Sequence, residues 1–236
     1  MRATLACLVL FGGVVGATPA SAQTPAASAT GTDLYHVHFA KAAPGQAAAL
    51  AKSLMVPDKT SSMPDHFVVL RHQEGDDWDY VVIQHLGSKV EVTATPPPPS
   101  DAVRALTAWH SDTFVSGPSW AEFSKQMSLG GSAGGAGLVY IVGVHRPVPG
   151  HRDQLLKSLS AASSSSKIQT GNVLLQHIEG SEWTFATITR YNSWQDVAAD
   201  RSGAVSAGDA VGGWADIRQH SGFHRDTLAD RIYPVK

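Results

Sequence analysis

Leu70-Arg-His-Gln-Glu-Gly-Asp-Asp-Trp78 recurs later in the chain as Leu175-Gln-His-Ile-Glu-Gly-Ser-Glu-Trp183. Leucine, histidine, glutamate, glycine and tryptophan match position by position, and the offset between the copies is constant at 105 residues (177 − 72). A glycine between two short apolar stretches favours a β-hairpin turn, because its backbone reaches a positive φ at little cost. The sequence therefore predicts a duplicated unit that contains this hairpin.

The duplication extends on both sides of the hairpin. The alternating residues of a first strand and the proline before a first helix also recur at the same offset: Tyr35, Val37, Phe39 and Pro44 return as Tyr140, Val142, Val144 and Pro149. Near the ends of the halves the offset grows to 114 residues (224 − 110). The second half therefore carries extra residues, which we expect in a loop around Gly203 to Gly213.

Each half has the pattern strand, helix, strand, strand, helix and a weaker closing strand, which is a ferredoxin-like α+β unit. Asp101 is expected to start the second helix of the first half, and we extend that helix to Val115. A glycine-rich stretch separates the two units. The predicted organisation is a signal peptide at 1–22, a disordered lead-in at 23–32, repeats at 33–128 and 138–236, and a linker at 129–137.

The N-terminus has the features of a secretory signal peptide. Met1-Arg2 precedes an apolar run from Ala3 to Val15, and Ala20-Ser21-Ala22 supplies the small residues of a cleavage site. The only cysteine of the 236 residues lies in this segment. We therefore expect a periplasmic or secreted mature protein without disulfides or thiolate metal sites.

Composition narrows the classes of partner. The chain is 43% hydrophobic, 16% charged and carries a formal net charge of −2, which is typical of a globular protein. No cluster of lysine and arginine indicates nucleic-acid binding, and no stretch after the signal peptide reaches the ~18 apolar residues of a membrane span. The composition therefore indicates neither a nucleic-acid partner nor a membrane span.

The element order, the Pro-Gly helix start, the Glu-Gly-x-x-Trp hairpin and the tandem arrangement resemble the dimeric α/β-barrel superfamily. This superfamily includes antibiotic-biosynthesis monooxygenase-like proteins and, in tandem form, the chlorite dismutase and dye-decolourising peroxidase groups. The resemblance covers most of Asp33 to Lys236. It implies two tandem ferredoxin-like repeats whose sheets form a barrel, either within one chain or in a homodimer. It also implies a ligand pocket between sheet and helices.

His36 and His38 are the first candidates for chemistry. They alternate with Tyr35 on the first strand and share its other face, about 6–7 Å apart. Their counterparts in the second half are Ile141 and Gly143, so the histidines were not needed to build the repeat. They could bind a metal, orient a substrate or act as a general base, or form a hydrogen-bonded surface pair. We expect one functional pocket, in the first half, between the first strand and the 101–115 helix.

Another histidine stands two residues before an aspartate in both halves, as His110 with Asp112 and His224 with Asp226. On a helix, residues two apart point in different directions, which favours a helix-end hydrogen bond over a catalytic pair. Haem-handling members of the superfamily use a helix histidine, so the resemblance leaves a pocket role open for His110 or His224. His72 and His177 precede the hairpin turn in both copies and are expected to bond its backbone.

We take His36, His38 and His110 as the candidate catalytic residues and Arg71, Tyr80, His85 and Trp109 as candidate substrate contacts. The leading hypothesis is an exported enzyme without an organic cofactor that acts on an apolar or aromatic compound by histidine-assisted acid/base chemistry. The reaction would be of the lyase, isomerase or oxygenase type. One alternative is a non-catalytic ligand-binding or stress-related protein. The other is a haem- or metal-dependent enzyme, although no set of metal ligands is complete in the sequence.

Overall fold

The structure is a computed structural model that describes residues 32–57, 66–88, 100–130, 137–206 and 210–234, without the side chains of 163–165. The predicted signal peptide, the lead-in up to residue 31 and the centre of the linker lie outside the described residues. None of the helices in the described part of the chain is long and apolar enough to cross a membrane.

Eight strands and six short helices make up the described structure. The strands are β1 (Asp33–Ala42), β2 (Phe67–Glu74), β3 (Tyr80–Ser88), β4 (Thr107–Gly117), β5 (Val139–Pro147), β6 (Gly171–Glu179), β7 (Phe185–Tyr191) and β8 (Ser221–Tyr233). The helices are α1 (Ala47–Leu54), α2 (Asp101–Arg104), α3 (Trp120–Gln126), α4 (Arg152–Ser165), α5 (Trp194–Ser206) and α6 (Trp214–His220).

The strands close into one barrel in the order β1-β3-β2-β8-β5-β7-β6-β4. All of the strand pairs are antiparallel. Each half contributes four strands, and the halves meet where β2 pairs with β8 and where β4 pairs with β6. The predicted α+β barrel of two ferredoxin-like halves is confirmed. It closes within a single chain, so a second chain is not needed to complete it.

The barrel interior is filled by apolar side chains from both halves. Tyr35, Val37 and Phe39 point inward, as their alternation predicts, and they share one buried cluster with Trp78 and Trp183. Helix α3 lies at one end of the barrel, since its Phe123 also belongs to this cluster. Because a barrel of eight strands is just wide enough for its own side chains, polar residues such as His36 and His38 face outward.

Helices cover part of the outer surface. In the first half, Leu50 of α1 packs on Ala40 and Tyr80. In the second half, Leu155 and Leu159 stand one turn apart on α4 and pack against Phe185 of β7. Helix α5 adds Val197, which packs on Ile141 and Tyr191. The outer face of the second half is thus enclosed by α4, α5 and α6.

The expected helix over 101–115 is wrong. Helix α2 has only four residues, started by Ser100, whose hydroxyl accepts a hydrogen bond from the Val103 amide. From Thr107 the chain is the long strand β4, which pairs with β1 from Asp33 to Ala42 and with β6 on its other edge. Local spacing does not reveal these long-range backbone pairs. Gly203, expected in a loop, likewise lies in α5.

The repeated hairpin glycines join the two halves. Gly75 and Gly180 have φ values of 129° and 103°, as the predicted turns require. A Cβ on Gly75 would lie 2.5 Å from the carbonyl oxygen of Asp226, and a Cβ on Gly180 would lie 2.5 Å from that of Asp112. Each hairpin therefore rests directly on the closing strand of the opposite half. Only glycine allows that approach.

The hairpin histidines differ between the copies. The Ser181 amide donates to His177 Nε2 over 3.0 Å, which confirms the expected bond to the turn backbone. His72 Nε2, in contrast, is buried without a hydrogen-bond partner among the described residues. The hydrogen bond to the turn is therefore present in the second half only, whereas both histidines contact the tryptophan of their hairpin.

We expect Gly75→Ala and Gly180→Ala to lower the free energy of unfolding by about 2–4 kcal/mol each, because both the positive φ and the backbone contact are violated. Gly150→Ala is the matched control. Its φ is 83° with no atom within 4 Å of the added Cβ, so it should cost only about 1 kcal/mol. Urea denaturation measures the three values. Equal losses in all three variants would show that the contact between the halves does not matter.

Candidate functional site

A cavity of about 880 Å³ lies between the outer sheet face of the second half and helices α4, α5 and α6, and α3 of the first half contributes Glu122 and Gln126 to its lining. Its apolar wall includes Ile141, Leu159, Val173 and Ile217. Its polar wall includes Asn172, Thr187, Thr189, Arg201, His224 and Asp226. The sequence analysis placed the pocket in the first half, under a helix that the structure replaces with a strand. The large cavity lies instead in the second half, where α4, α5 and α6 stand over the sheet.

His224 and Asp226 form a hydrogen-bonded pair at the cavity wall. Both project from the same face of β8, because residues two apart on a strand share a face. His224 Nε2 lies 2.8 Å from Asp226 Oδ1. The ring of His224 also stacks on that of His145 from the neighbouring strand β5, with centroids 4.5 Å apart. The pair is thus held from two sides.

Arg201 of α5 holds the other oxygen of the same carboxylate. Its guanidinium donates to Asp226 Oδ2 over 2.7 Å. Burial favours the neutral acid, but the hydrogen bond from His224 and the charge of Arg201 outweigh it and hold the pKa of Asp226 at about 2. Asp226 is therefore ionised at neutral pH and serves as a fixed acceptor.

The hydrogen bond to Asp226 defines the tautomer of His224. An ionised carboxylate only accepts, so Nε2 carries the hydrogen and Nδ1 keeps its lone pair in the neutral ring. Nδ1 has no hydrogen-bond partner within the described part of the chain. Nδ1 is therefore the nitrogen of the neutral ring that is free to accept a proton.

His145 is a neutral part of the wall. It is 4% exposed, and burial, aided by the nearby His224, lowers its pKa to about 3. Its Nε2 lies 3.4 Å from the hydroxyl oxygen of Thr187, and its Nδ1 is buried without a partner among the described residues. His145 therefore stays uncharged across the physiological range, and it can position His224 by stacking.

Gly143 creates the space for this arrangement. A Cβ at Gly143 would lie 2.7 Å from Thr187 Oγ1, 2.8 Å from Asp226 Oδ1 and 3.0 Å from His145 Nε2. The three side chains can therefore converge only because position 143 has no side chain. The sequence showed glycine at the position equivalent to His38, and the structure gives the reason.

The three histidines chosen from the sequence meet on one carboxylate in the first half. Asp112 Oδ1 lies 2.8 Å from His36 Nε2 and 2.7 Å from His38 Nδ1, and Asp112 Oδ2 lies 2.6 Å from His110 Nδ1. All four side chains project from the outer face of β1 and β4. The sequence analysis separated His110 from Asp112 because it placed them on a helix, and on a strand they share a face.

Asp112 is the centre of this cluster, and sequence reasoning did not place it beside the three histidines. Burial favours its neutral form, but hydrogen bonds with His36 and His38 outweigh this and hold its pKa well below the usual range. Side chains alternate between the two faces of a strand, which places His110 and Asp112 on one face of β4 and His36 and His38 on one face of β1. This alternation was visible in the sequence. Reading 107–117 as a strand would have found it.

The four predicted substrate contacts lie elsewhere. Arg71 pairs with Asp230 on the surface, and the hydroxyl of Tyr80 donates to the Ala47 carbonyl, which fixes α1. His85 lies near α3, where its Nε2 is 2.9 Å from Asp33 Oδ2 and burial lowers its pKa. Trp109 lines a second cavity of about 710 Å³ at the barrel end formed by the two hairpins. The structure does not bring these residues to the histidines.

Haem would require an imidazole nitrogen aimed into the cavity. Of the two histidines that line it, His145 is buried in the wall and His224 gives its Nε2 to Asp226. An axial bond from an imidazole to haem iron would therefore have to use His224 Nδ1.

The closed barrel of two ferredoxin-like halves, with a cavity between sheet and helices, is the tandem form of the dimeric α/β-barrel fold. The chain is similar to a solved protein described as anthrone oxidase-like, with a TM-score of 0.60, 15% identity and coverage of 88% of this chain and 94% of that chain. It is also similar to a putative monooxygenase from Fusobacterium nucleatum subsp. nucleatum, with a TM-score of 0.57, 7% identity and coverage of 86% and 93%.

No family model matches the sequence, and a search of curated proteins finds no significant match. At identities of 15% and 7%, the structural likeness establishes the fold. What the protein does must be argued from its own cavity and side chains.

The low pKa of His145 makes folding sensitive to acid. An unfolded histidine has a pKa of about 6.5, against about 3 in the folded chain. Between these values only the unfolded state binds the proton. Stability should therefore fall as pH drops from about 6.5 towards 3, by at most about 1.4 kcal/mol per pH unit from this group.

Denaturant unfolding of wild type and His145→Gln at several pH values measures this contribution. His85, whose pKa is also lowered by burial, contributes in the same pH interval in both proteins, so the difference between the two curves isolates His145. The slope should be smaller in His145→Gln. Parallel curves for the two proteins would show that His145 is not held neutral by the fold.

Proposed function

We propose that this protein is an enzyme that acts on an apolar or aromatic small molecule by histidine-assisted acid/base chemistry, with its site in the cavity of the second half. The observation that carries the proposal is the His224–Asp226 pair on the wall of a cavity of about 880 Å³. Ligand pockets typically measure about 300–1,000 Å³ and combine apolar walls with a few convergent polar groups.

In this proposal His224 is the general base. Its Nδ1 removes a proton from the bound molecule, while Asp226 keeps the other nitrogen protonated and stabilises the imidazolium that forms. Arg201 keeps the carboxylate oriented through its 2.7 Å contact. A histidine works well in this role because its ordinary pKa lies close to neutral pH.

The cavity lining favours a substrate with a flat apolar body and a polar edge. Ile141 of the sheet and Leu159 of α4 supply apolar surface. Asn172 and Thr189, joined by a hydrogen bond of 2.9 Å, and Thr187 offer polar groups along the strands. Phenols, and ketones with an acidic C–H bond, combine an apolar body with a polar edge in this way.

Among lyase, isomerase and oxygenase reactions, the last receives support from the fold neighbours, whose descriptions name an anthrone oxidase-like protein and a putative monooxygenase. Removing a proton from a methylene group between aromatic rings leaves a carbanion that dioxygen can oxidise. The methylene and one dioxygen then give a carbonyl group and one water, so the atoms and electrons balance without an organic cofactor.

Export is part of the same proposal and rests on the N-terminal pattern alone. Expression of the full chain with its first 22 residues in a bacterial host, followed by fractionation and N-terminal sequencing, tests it. A mature protein outside the cytoplasm that begins near Gln23 is expected. Retention of Met1 in the cytoplasm would contradict export.

The purified protein should consume dioxygen when incubated with members of a panel of phenols and polycyclic ketones that includes anthrone. His224→Gln and Asp226→Asn should each lower kcat/KM by about 10²–10⁴-fold, which is the usual contribution of a general base. Oxygen uptake and product absorbance are the measurements. Lyase or isomerase turnover of a panel member, followed by chromatography, with the same loss in both variants, would support the acid/base site and reject the oxygenase form.

Arg225→Gln is the matched control, because Arg225 neighbours His224 on β8 but points to the other face and pairs with Asp76. It should retain full turnover. Binding of panel members without any turnover would support the ligand-binding alternative. Turnover that is unchanged in His224→Gln and Asp226→Asn would remove the pair from the mechanism.

A further inference from the structure

The cluster on Asp112 in the first half is not used by the proposed chemistry. His38 pairs with Asp112 across β1 and β4, and His110 stands opposite Ala40 on the same ladder. The coordinating atoms of His38, His110 and Asp112 all lie within 4.8 Å of one another. A zinc ion binds its ligands at about 2.0–2.2 Å, so nitrogen and oxygen atoms must approach to about 4 Å or less. Small rotations of these side chains satisfy that requirement.

We propose that His38, His110 and Asp112 bind a divalent transition-metal ion. Two imidazoles and one carboxylate are a ligand set that proteins use for zinc, as in three-ligand catalytic sites, and for non-haem iron. With the only cysteine at position 7, a site in the folded barrel has to use this chemistry. The sequence analysis found only two of the histidines as ligands, and the strand β4 supplies the further histidine and the carboxylate.

His36 is the third histidine that contacts the carboxylate of Asp112. Its Nε2 contacts Asp112 Oδ1 at 2.8 Å, and its ring packs on Phe114 at a centroid distance of 5.4 Å. Groups that hydrogen-bond a metal ligand fix its orientation, and their loss typically weakens metal binding about 10–100-fold. His36 is therefore a positioning residue for Asp112.

Exposure leaves a path for the ion. The side chains of His36 and His38 are only 14% and 19% exposed, whereas those of His110 and Asp112 are 48% and 38% exposed. His36 and His38 thus form the less exposed side of the cluster, and His110 and Asp112 form the side that is open to solvent. That combination allows an ion to enter and keeps a coordination position for water.

Comparison with the second half shows which residues of the cluster occur in the first half only. His224 and Asp226 occupy the positions of His110 and Asp112, but Gly143 replaces His38, and Arg201 takes the free oxygen of the carboxylate. That half therefore lacks the equivalent of His38, its second imidazole is the wall-buried His145, and Arg201 adds a competing cation. The metal site belongs to the first half alone, at a distance from the proposed active site, so either proposal can fail without the other.

Titration calorimetry with zinc chloride on the chelator-treated, full-length mature protein tests the site. We expect one ion per chain, with binding weakened at least 100-fold in His38→Gln and in His110→Gln and about 10–100-fold in His36→Gln. His224→Gln, the equivalent of His110→Gln in the other half, should bind zinc like the wild type. Substitution with cobalt(II) adds a second readout, since its visible absorption reports nitrogen and oxygen coordination directly.

Circular dichroism verifies that each variant is folded. If a histidine variant does not fold, Asp112→Asn takes its place in the zinc titration. Failure of the wild type to bind zinc or cobalt above the level of a non-specific surface site would overturn the proposal. So would stoichiometric binding that survives the loss of His38 and His110. If zinc binding were lost in His224→Gln and retained in His110→Gln, the ion would lie in the second half. That result would equally overturn the proposal.

Discussion

The barrel depends on the close approach of each hairpin glycine to the closing strand of the opposite half. The atoms that Gly75 and Gly180 approach are the backbone carbonyls of Asp226 and Asp112, and these are the two aspartates around which the polar clusters assemble. The contact that closes the barrel thus also fixes the backbone from which each carboxylate projects. A side chain larger than hydrogen at either glycine would move the strand and the carboxylate together.

Closure also decides where chemistry can occur. The interior of an eight-stranded barrel is filled by its own side chains, and here both halves contribute tyrosines, valines and tryptophans to one cluster. Polar groups are therefore confined to the outer face, where a ligand must lie between sheet and helices. In the second half α4, α5 and α6 enclose that space, and Gly143 lets His145, Thr187 and Asp226 converge beneath them.

The two halves show how one scaffold can diverge. Both keep a histidine two residues before an aspartate on the closing strand, and in both the carboxylate has a lowered pKa. The partner on the neighbouring strand differs, with His38 in the first half and Gly143 in the second. Two differences on the first strand of each half, His36 against Ile141 and His38 against Gly143, separate a set of imidazoles around a carboxylate from a histidine–aspartate pair that faces a cavity.

The sequence by itself determined the duplication, the hairpin glycines, the face alternation of β1 and the fold class, because these follow from local periodicity and from repetition along the chain. It also selected His36, His38 and His110. The tertiary structure decided that 107–117 is a strand, since pairing with β1 and β6 is a long-range interaction. Only that pairing brings His110 and Asp112 to one face. The tertiary structure also decided that the cavity lies in the second half and not in the first, where it was expected. The helices over the second half enclose it, and enclosure depends on contacts between segments far apart in the chain.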